Sequence, residues 1–129
     1  MLYVGTDRRV AVVDPVASAL VSSFVPGALA DVDSSTSVEC VAASRSRPER
    51  AFVGTFGAGL FRTTDGGGSW SRVALDDAAS GLAVDAAQVT AVSVAPWDPD
   101  VVFVGTEPSR VYRSLDGGET FRHLPGIVE

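Results

Sequence analysis

Short apolar runs rich in valine and aromatic residues recur along the chain, each bounded by glycine, proline, aspartate or serine. Four of them form a series: Val38 to Ala43, Ala51 to Thr55, a stretch through Phe61 and Arg62, and Trp70 to about Ala74. A second series follows: Val89 to Ala95, Val101 to Thr106, a stretch through Tyr112 and Arg113, and Phe121 to about Leu124. Runs this short between turn residues predict strands rather than long helices. Pro48 and Pro99 mark the loop that ends the first strand of each series. Polar, alanine-rich connections, Pro26 to Ser37 and Asp76 to Gln88, separate the units. The second has room for a short helical turn, which Gly81 weakens.

The last two strands of each series are joined by the strongest local signal in the sequence. Thr63 to Trp70 and Ser114 to Phe121 share one order: hydroxyl, any residue, aspartate, glycine, glycine, any residue, hydroxyl, aromatic. Asp-Gly favours a hairpin turn because glycine accepts positive φ at little steric cost. A hydroxyl and a carboxylate beside the turn can satisfy its free backbone groups. The closing aromatic is then placed to enter a core.

These turns belong to a longer repeat. Residues 38–73 lie over 89–124 without a gap. The identities are Val38/Val89, Val41/Val92, Pro48/Pro99, Phe52/Phe103, Val53/Val104, Gly54/Gly105, Thr55/Thr106, Arg62/Arg113, Asp65/Asp116, Gly66/Gly117 and Gly67/Gly118. A weaker copy comes first. Leu2-Tyr3-Val4-Gly5-Thr6 matches Ala51 to Thr55, and Val10-Ala11-Val12 falls where Leu60-Phe61-Arg62 falls. There Pro15 replaces the aspartate, Val16 and Ala17 the glycines, and Leu20 the aromatic. Four short strands per ~40–50 residues is the period of a propeller blade.

Composition narrows the partners. With 46% hydrophobic residues the chain can bury a core, and thirteen glycines and seven prolines suit many turns. A net charge of −6 argues against nucleic acid, which wants a basic face. All ten basic residues are arginine, a bias that a GC-rich coding sequence and adaptation to high salt would each produce. Cys40 is the sole cysteine, so no intramolecular disulfide forms, and the thiol reads as buried and inert. No uncharged run approaches the ~20 residues of a membrane helix. The start lacks the basic region and long apolar stretch of a signal peptide, which reads as a cytoplasmic chain; a piece cut from a longer secreted protein would be extracellular instead. No phosphate loop, dinucleotide fingerprint or zinc spacing is present, so neither cofactor nor metal is expected.

The two turns resemble the Asp-box, or BNR repeat, of sialidase-like β-propellers: Ser/Thr, any, Asp, any, Gly, any, Thr/Ser, Trp/Phe. Thr63, Asp65, Gly67, Ser69 and Trp70 match it in one unit, and Ser114, Asp116, Gly118, Thr120 and Phe121 in the other. The proline loop, Phe-Val-Gly-Thr and Phe/Tyr-Arg-Ser/Thr around them are similar to the wider BNR-like group. That group includes exo-sialidases, xyloglucanases, the sortilin ectodomain and a photosystem II assembly factor. The resemblance spans nearly the whole chain. It implies an all-β fold of four-stranded antiparallel β-propeller blades, about two and a half of them, in an incomplete, open propeller. An eroded blade would take residues 1–30 and whole blades 36–75 and 89–125, within one partial propeller over 1–129. The group mixes enzymes with binding proteins, so it informs fold more than activity. It implies a non-catalytic module for binding or assembly, and alternatively part of a glycoside hydrolase of sialidase or xyloglucanase type. Partners would be protein or carbohydrate, with self-association or the remaining blades of a parent propeller.

Individual residues fit the non-catalytic side. Asp65 and Asp116 recur at one repeat position, which suits turn-building better than catalysis. Trp70 and Phe121 read as plugs between neighbouring blades. Tyr112, a candidate sialidase-type nucleophile, occupies the inward strand position of Phe61 and Ala11. Arg62 and Arg113 recur beside the turn, where each would pair with a carboxylate, cover an edge or join a clamp for a substrate carboxylate. His123 reads as a solvent-facing strand residue without a triad partner. In sialidase-like proteins the ligand lies on the face opposite the Asp-box turns. That face would carry Asp7, Arg8, Arg9, Phe56, Glu107, Ser109 and Arg110, with Asp76, Asp77 and Asp85. The chain opens at the second strand of its first unit and ends five residues past Leu124, so a self-sufficient closed ring is not expected.

Overall fold

The computed structural model describes residues 2–6, 9–14, 19–24, 37–77, 82–84, 88–107 and 110–124. It is all-β, without a helix among the described residues. Among the described residues, thirteen strands form three sheets. The first is a three-stranded antiparallel meander of β1 (Leu2–Gly5), β2 (Val10–Asp14) and β3 (Ala19–Phe24). The second is a four-stranded meander of β4 (Ser37–Ala43), β5 (Ala51–Phe56), β6 (Leu60–Thr63) and β7 (Ser71–Val73).

The third sheet departs from a plain meander. After Ala74 the chain leaves the second sheet and forms β8 (Leu75–Asp77) and β9 (Leu82–Val84), then β10 (Val89–Val94), β11 (Val102–Thr106), β12 (Arg110–Ser114) and β13 (Arg122–His123). Strands β10 to β13 repeat the second sheet's meander, and the β8–β9 hairpin adds to its outer edge, β8 running parallel to β13 with Asp76 opposite Arg122. The connection expected to be polar and loop-like, with room for a helical turn, is therefore partly strand. An outer strand of two residues leaves its edge groups open, and β8, from earlier in the chain, pairs with that edge.

Cross-strand register shows which side chains share a face, because residues directly opposite point the same way. In the second sheet Phe52 opposes Arg62 and Gly54 opposes Leu60, while Val53 opposes Phe61. Phe52 and Leu60 belong to the core shared with the third sheet, together with Val89, Val102, Val104, Tyr112 and Phe121. Val53 and Phe61 belong to the core shared with the first sheet, together with Val10, Phe24 and Trp70. The second sheet is thus buried on both faces, and every residue of β5 from Ala51 to Thr55 is buried. The forward face of a sheet is the one that, on the first and second sheets, is turned toward the next sheet in sequence; the rear face is the opposite one.

One glycine per sheet governs how closely the sheets approach. A Cβ on Gly5 would lie 2.9 Å from Val41 and 3.1 Å from Val38. A Cβ on Gly54 would lie 2.5 Å from Cys40 and 2.6 Å from Val89. Val38 and Val89 are the same repeat position, so the bare backbone of one sheet admits the innermost strand of the next in both places.

Candidate functional site

The repeated Asp-Gly-Gly turns carry the densest side-chain chemistry among the described residues. Thr63 donates its hydroxyl to Asp65 Oδ1 at 2.8 Å and accepts the Gly67 amide at 3.0 Å. Asp65 Oδ1 also accepts the Ser69 amide at 2.9 Å, and Oδ2 accepts the Ser69 hydroxyl at 2.7 Å. The second turn repeats the wiring. Ser114 donates to Asp116 Oδ1 at 2.7 Å and accepts the Gly118 amide at 2.8 Å. Asp116 accepts the Thr120 amide at 3.0 Å and the Thr120 hydroxyl. Gly66, Gly67, Gly117 and Gly118 all hold φ between 71° and 90°, a region that side-chain-bearing residues avoid. Each turn is tied to its own proline loop: the Gly66 amide bonds Glu49 O at 2.8 Å, and the Gly117 amide bonds Asp100 O at 3.0 Å.

These bonds favour the charged carboxylate. The Ser69 hydroxyl and amide, then the Thr63 hydroxyl, hold Asp65 at about 2. Slight burial works against ionisation of Asp116, and the Thr120 hydroxyl and amide with Ser114 outweigh it, leaving that group also at about 2. A carboxylate with both oxygens engaged and so low a pKa holds no proton to give near neutrality and makes a poor base.

The turns also join the sheets, and the joints repeat. Tyr3 meets Trp70 edge-on at 6.3 Å, and Phe52 meets Phe121 edge-on at the same centroid distance. In each pair an aromatic at the same repeat position, Tyr3 on β1 or Phe52 on β5, receives the aromatic that closes the next sheet's turn, a favoured geometry. Trp70 is further stacked on Phe24 at 5.0 Å and 6°. The Tyr3 hydroxyl donates to Pro48 O at 2.6 Å, and burial, then the charges of Glu49 and Asp65, push its pKa up. Arg50 Nη1 donates to Pro99 O and to Asp100 Oδ1, both at 3.0 Å. The proline carbonyl is therefore the anchor for the preceding sheet at both joints. Arg62 Nε donates to Gly117 O at 3.0 Å, and the Phe52 ring lies directly on Gly118.

Among the described residues Arg62 thus makes no ion pair with a carboxylate; it clamps a backbone carbonyl of the next turn. His123 is a second correction. It is buried and lies 5.6 Å from the Tyr112 ring, because its register opposite Tyr112 turns it to the rear face, against the second sheet. Tyr112 is itself 1% exposed, so its hydroxyl is not open to a substrate. Cys40 is half-buried at the same interface, and burial raises its pKa.

The loops expected to form a ligand face are described in part. Asp7, Arg8, Asp85 and Ser109 lie outside the described residues, as do the side chains of Asp76 and Asp77. Phe56 and Glu107 converge: Phe56 bridges to Gln88, and the Glu107 amide bonds Gln88 O at 3.0 Å. Both side chains are exposed, and Arg110 is half-buried at the start of β12. Arg9 lies on the first sheet and donates to the Ser23 hydroxyl at 2.9 Å. A groove of about 640 Å³ lies elsewhere, between β7 and the second Asp-Gly-Gly turn, with Arg62, Arg72, Glu119 and Arg122 on its walls. Arg50 and Tyr3 are joint residues with a weak sequence signal: Arg50 lies between the identical positions Pro48 and Phe52, and Tyr3 takes the position of Phe52.

Among the described residues no group of three or more His, Cys, Asp or Glu is placed to hold a metal ion, and no helix is long and apolar enough to cross a membrane. Two antiparallel meanders with superposable turns, preceded by a shorter one, make this a chain of serially packed sheets. Compared with known proteins, it matches no family model and no curated protein sequence.

Proposed function

We propose that the chain is a non-catalytic Asp-box propeller module for binding or assembly, its three sheets being successive blades. The observation that carries this reading is the complete engagement of Asp65 and Asp116 by their own turns. Glycoside hydrolysis needs two carboxylates facing across a substrate, or a tyrosine with its own base. The repeat aspartates serve as turn braces, and Tyr112 serves the core. The strand-end surface where Phe56 and Glu107 meet at Gln88 is the proposed contact surface, since it varies between repeats while the frame does not.

A panel of fluorogenic glycosides and a glycan array test this together. The expected result is no turnover on any glycoside, with any retained glycan or protein partner weakened by Phe56→Ala. Turnover that disappears in Glu107→Gln would overturn the non-catalytic reading in favour of a hydrolase.

A further inference from the structure

The forward face of the third sheet carries the same clamp that the second sheet uses. On the second sheet that face presents Phe52, Gly54, Leu60 and Arg62. Phe52 receives Phe121 and rests on Gly118, Gly54 admits Val89, and Arg62 takes the Gly117 carbonyl. On the third sheet the same register presents Phe103 opposite Arg113 and Gly105 opposite Val111. Three of the four residues are identical to their counterparts. Their surroundings differ. Phe52 and Leu60 are buried, whereas Phe103 and Val111 are half-buried and Arg113 is exposed. Among the described residues, a Cβ on Gly105 would meet only Thr90 and Ala91 of its own sheet, at 3.8 Å.

We infer that this face is a docking surface for a further sheet bearing an Asp-box turn. The argument rests on the propeller reading above and adds to it the identity of the partner. The occupant must offer an aromatic to Phe103, a side-chain-free glycine for the Phe103 ring to lie on, and a glycine carbonyl to Arg113. Phe121, Gly118 and Gly117 supply those three groups to the second sheet, and in this chain one Asp-Gly-Gly turn brings them together. It must also place an apolar inner strand over Gly105, as Val38 and Val89 lie over Gly5 and Gly54. A second copy of this chain does not fit. Its one uncovered rear face belongs to the first sheet, where Leu20 replaces the aromatic and Val16 and Ala17 replace the glycines. Leu2, Val4 and Leu20 form an exposed aliphatic face there, and the sequence of that unit lacks the Gly-Gly pair whose carbonyl Arg62 takes on the second sheet.

The test appends a repeat of residues 74–124 after Glu129 of the full chain and compares denaturant unfolding of both proteins. In the unextended chain Phe103→Ala should shift the folding equilibrium little. In the extended chain it should lower the equilibrium constant by roughly two to four orders of magnitude, as Phe52→Ala should in either protein. Arg113→Ala should follow the same pattern with a smaller shift, which guards against a variant that fails to fold. Hydrogen exchange of the Val102–Thr106 amides should slow on extension. Equal effects of Phe103→Ala in both proteins would overturn the inference. So would an unextended chain that light scattering finds at twice 13.3 kDa and that Leu20→Arg returns to a monomer, since a second copy would then be the occupant. Glycosidase turnover would remove the non-catalytic reading and leave this comparison untouched.

Discussion

At the residue scale the turn hydroxyls and glycines do more than their aspartates advertise. Thr63 and Ser114 are both 1% exposed, and each oxygen donates once and accepts backbone amides. Thr63→Val or Ser114→Ala leaves a buried amide and a carboxylate oxygen short of a partner, and should cost about 1–3 kcal/mol in denaturant unfolding. Gly118 is the more exacting position. It holds φ near 90°, and a Cβ there would overlap the Phe52 ring. Gly118→Ala should therefore destabilise more than Gly66→Ala, where a Cβ meets nothing within 4 Å and only the backbone penalty remains.

The aspartates set an acid limit. Their folded pKa of about 2 lies below the ordinary value of 3.8, so the charged form is favoured in the folded chain. The stability this contributes is fully present above pH 3.8 and is lost as pH falls through about 2. Unfolding midpoints measured across that window should fall more steeply for the parent than for Asp65→Asn. Parallel curves would show that the bonds do not discriminate the two protonation states.

At the element scale the aromatic joints are the main determinants. Phe52 and Phe121 are both fully buried in one core. Phe52→Ala or Phe121→Ala should cost about 3–5 kcal/mol, and the two should be non-additive because they touch. The paired glycines give a sharper contrast. Gly54→Val must push Val89 or Cys40 aside and should be strongly destabilising, whereas Gly105→Val should be tolerated. Circular dichroism melts of the two variants check the pair directly. Equal losses would mean that the third sheet's forward face is already covered.

At the scale of the whole molecule, the sheets differ in how much they are enclosed. The second is packed on both faces, while the first leaves Leu2 at 49% and Leu20 at 65% exposure. Local opening costs least where few apolar contacts are lost. Native-state hydrogen exchange should accordingly be slowest in β5 and β6 and fastest in β1. Uniform protection across the three sheets would instead show one cooperative unit.

Much of this was written locally. Strands β4 to β7 and β10 to β13 fall within a residue or so of their apolar runs, because the apolar runs and Asp-Gly turns act over a few residues. The turn wiring was legible for the same reason: Thr63, Asp65 and Ser69 are neighbours in sequence. What tertiary structure decided lies between sheets. His123 reads as a surface residue until register with Tyr112 turns it inward. Arg62 reads as a partner for a carboxylate until the next sheet brings Gly117 O within reach. The stretch after Ala74 looks like a polar connection, and becomes strand only because β13 offers an edge to pair with. Local pattern fixes strands and turns; partners across a packing interface are chosen by proximity that no short stretch of sequence encodes.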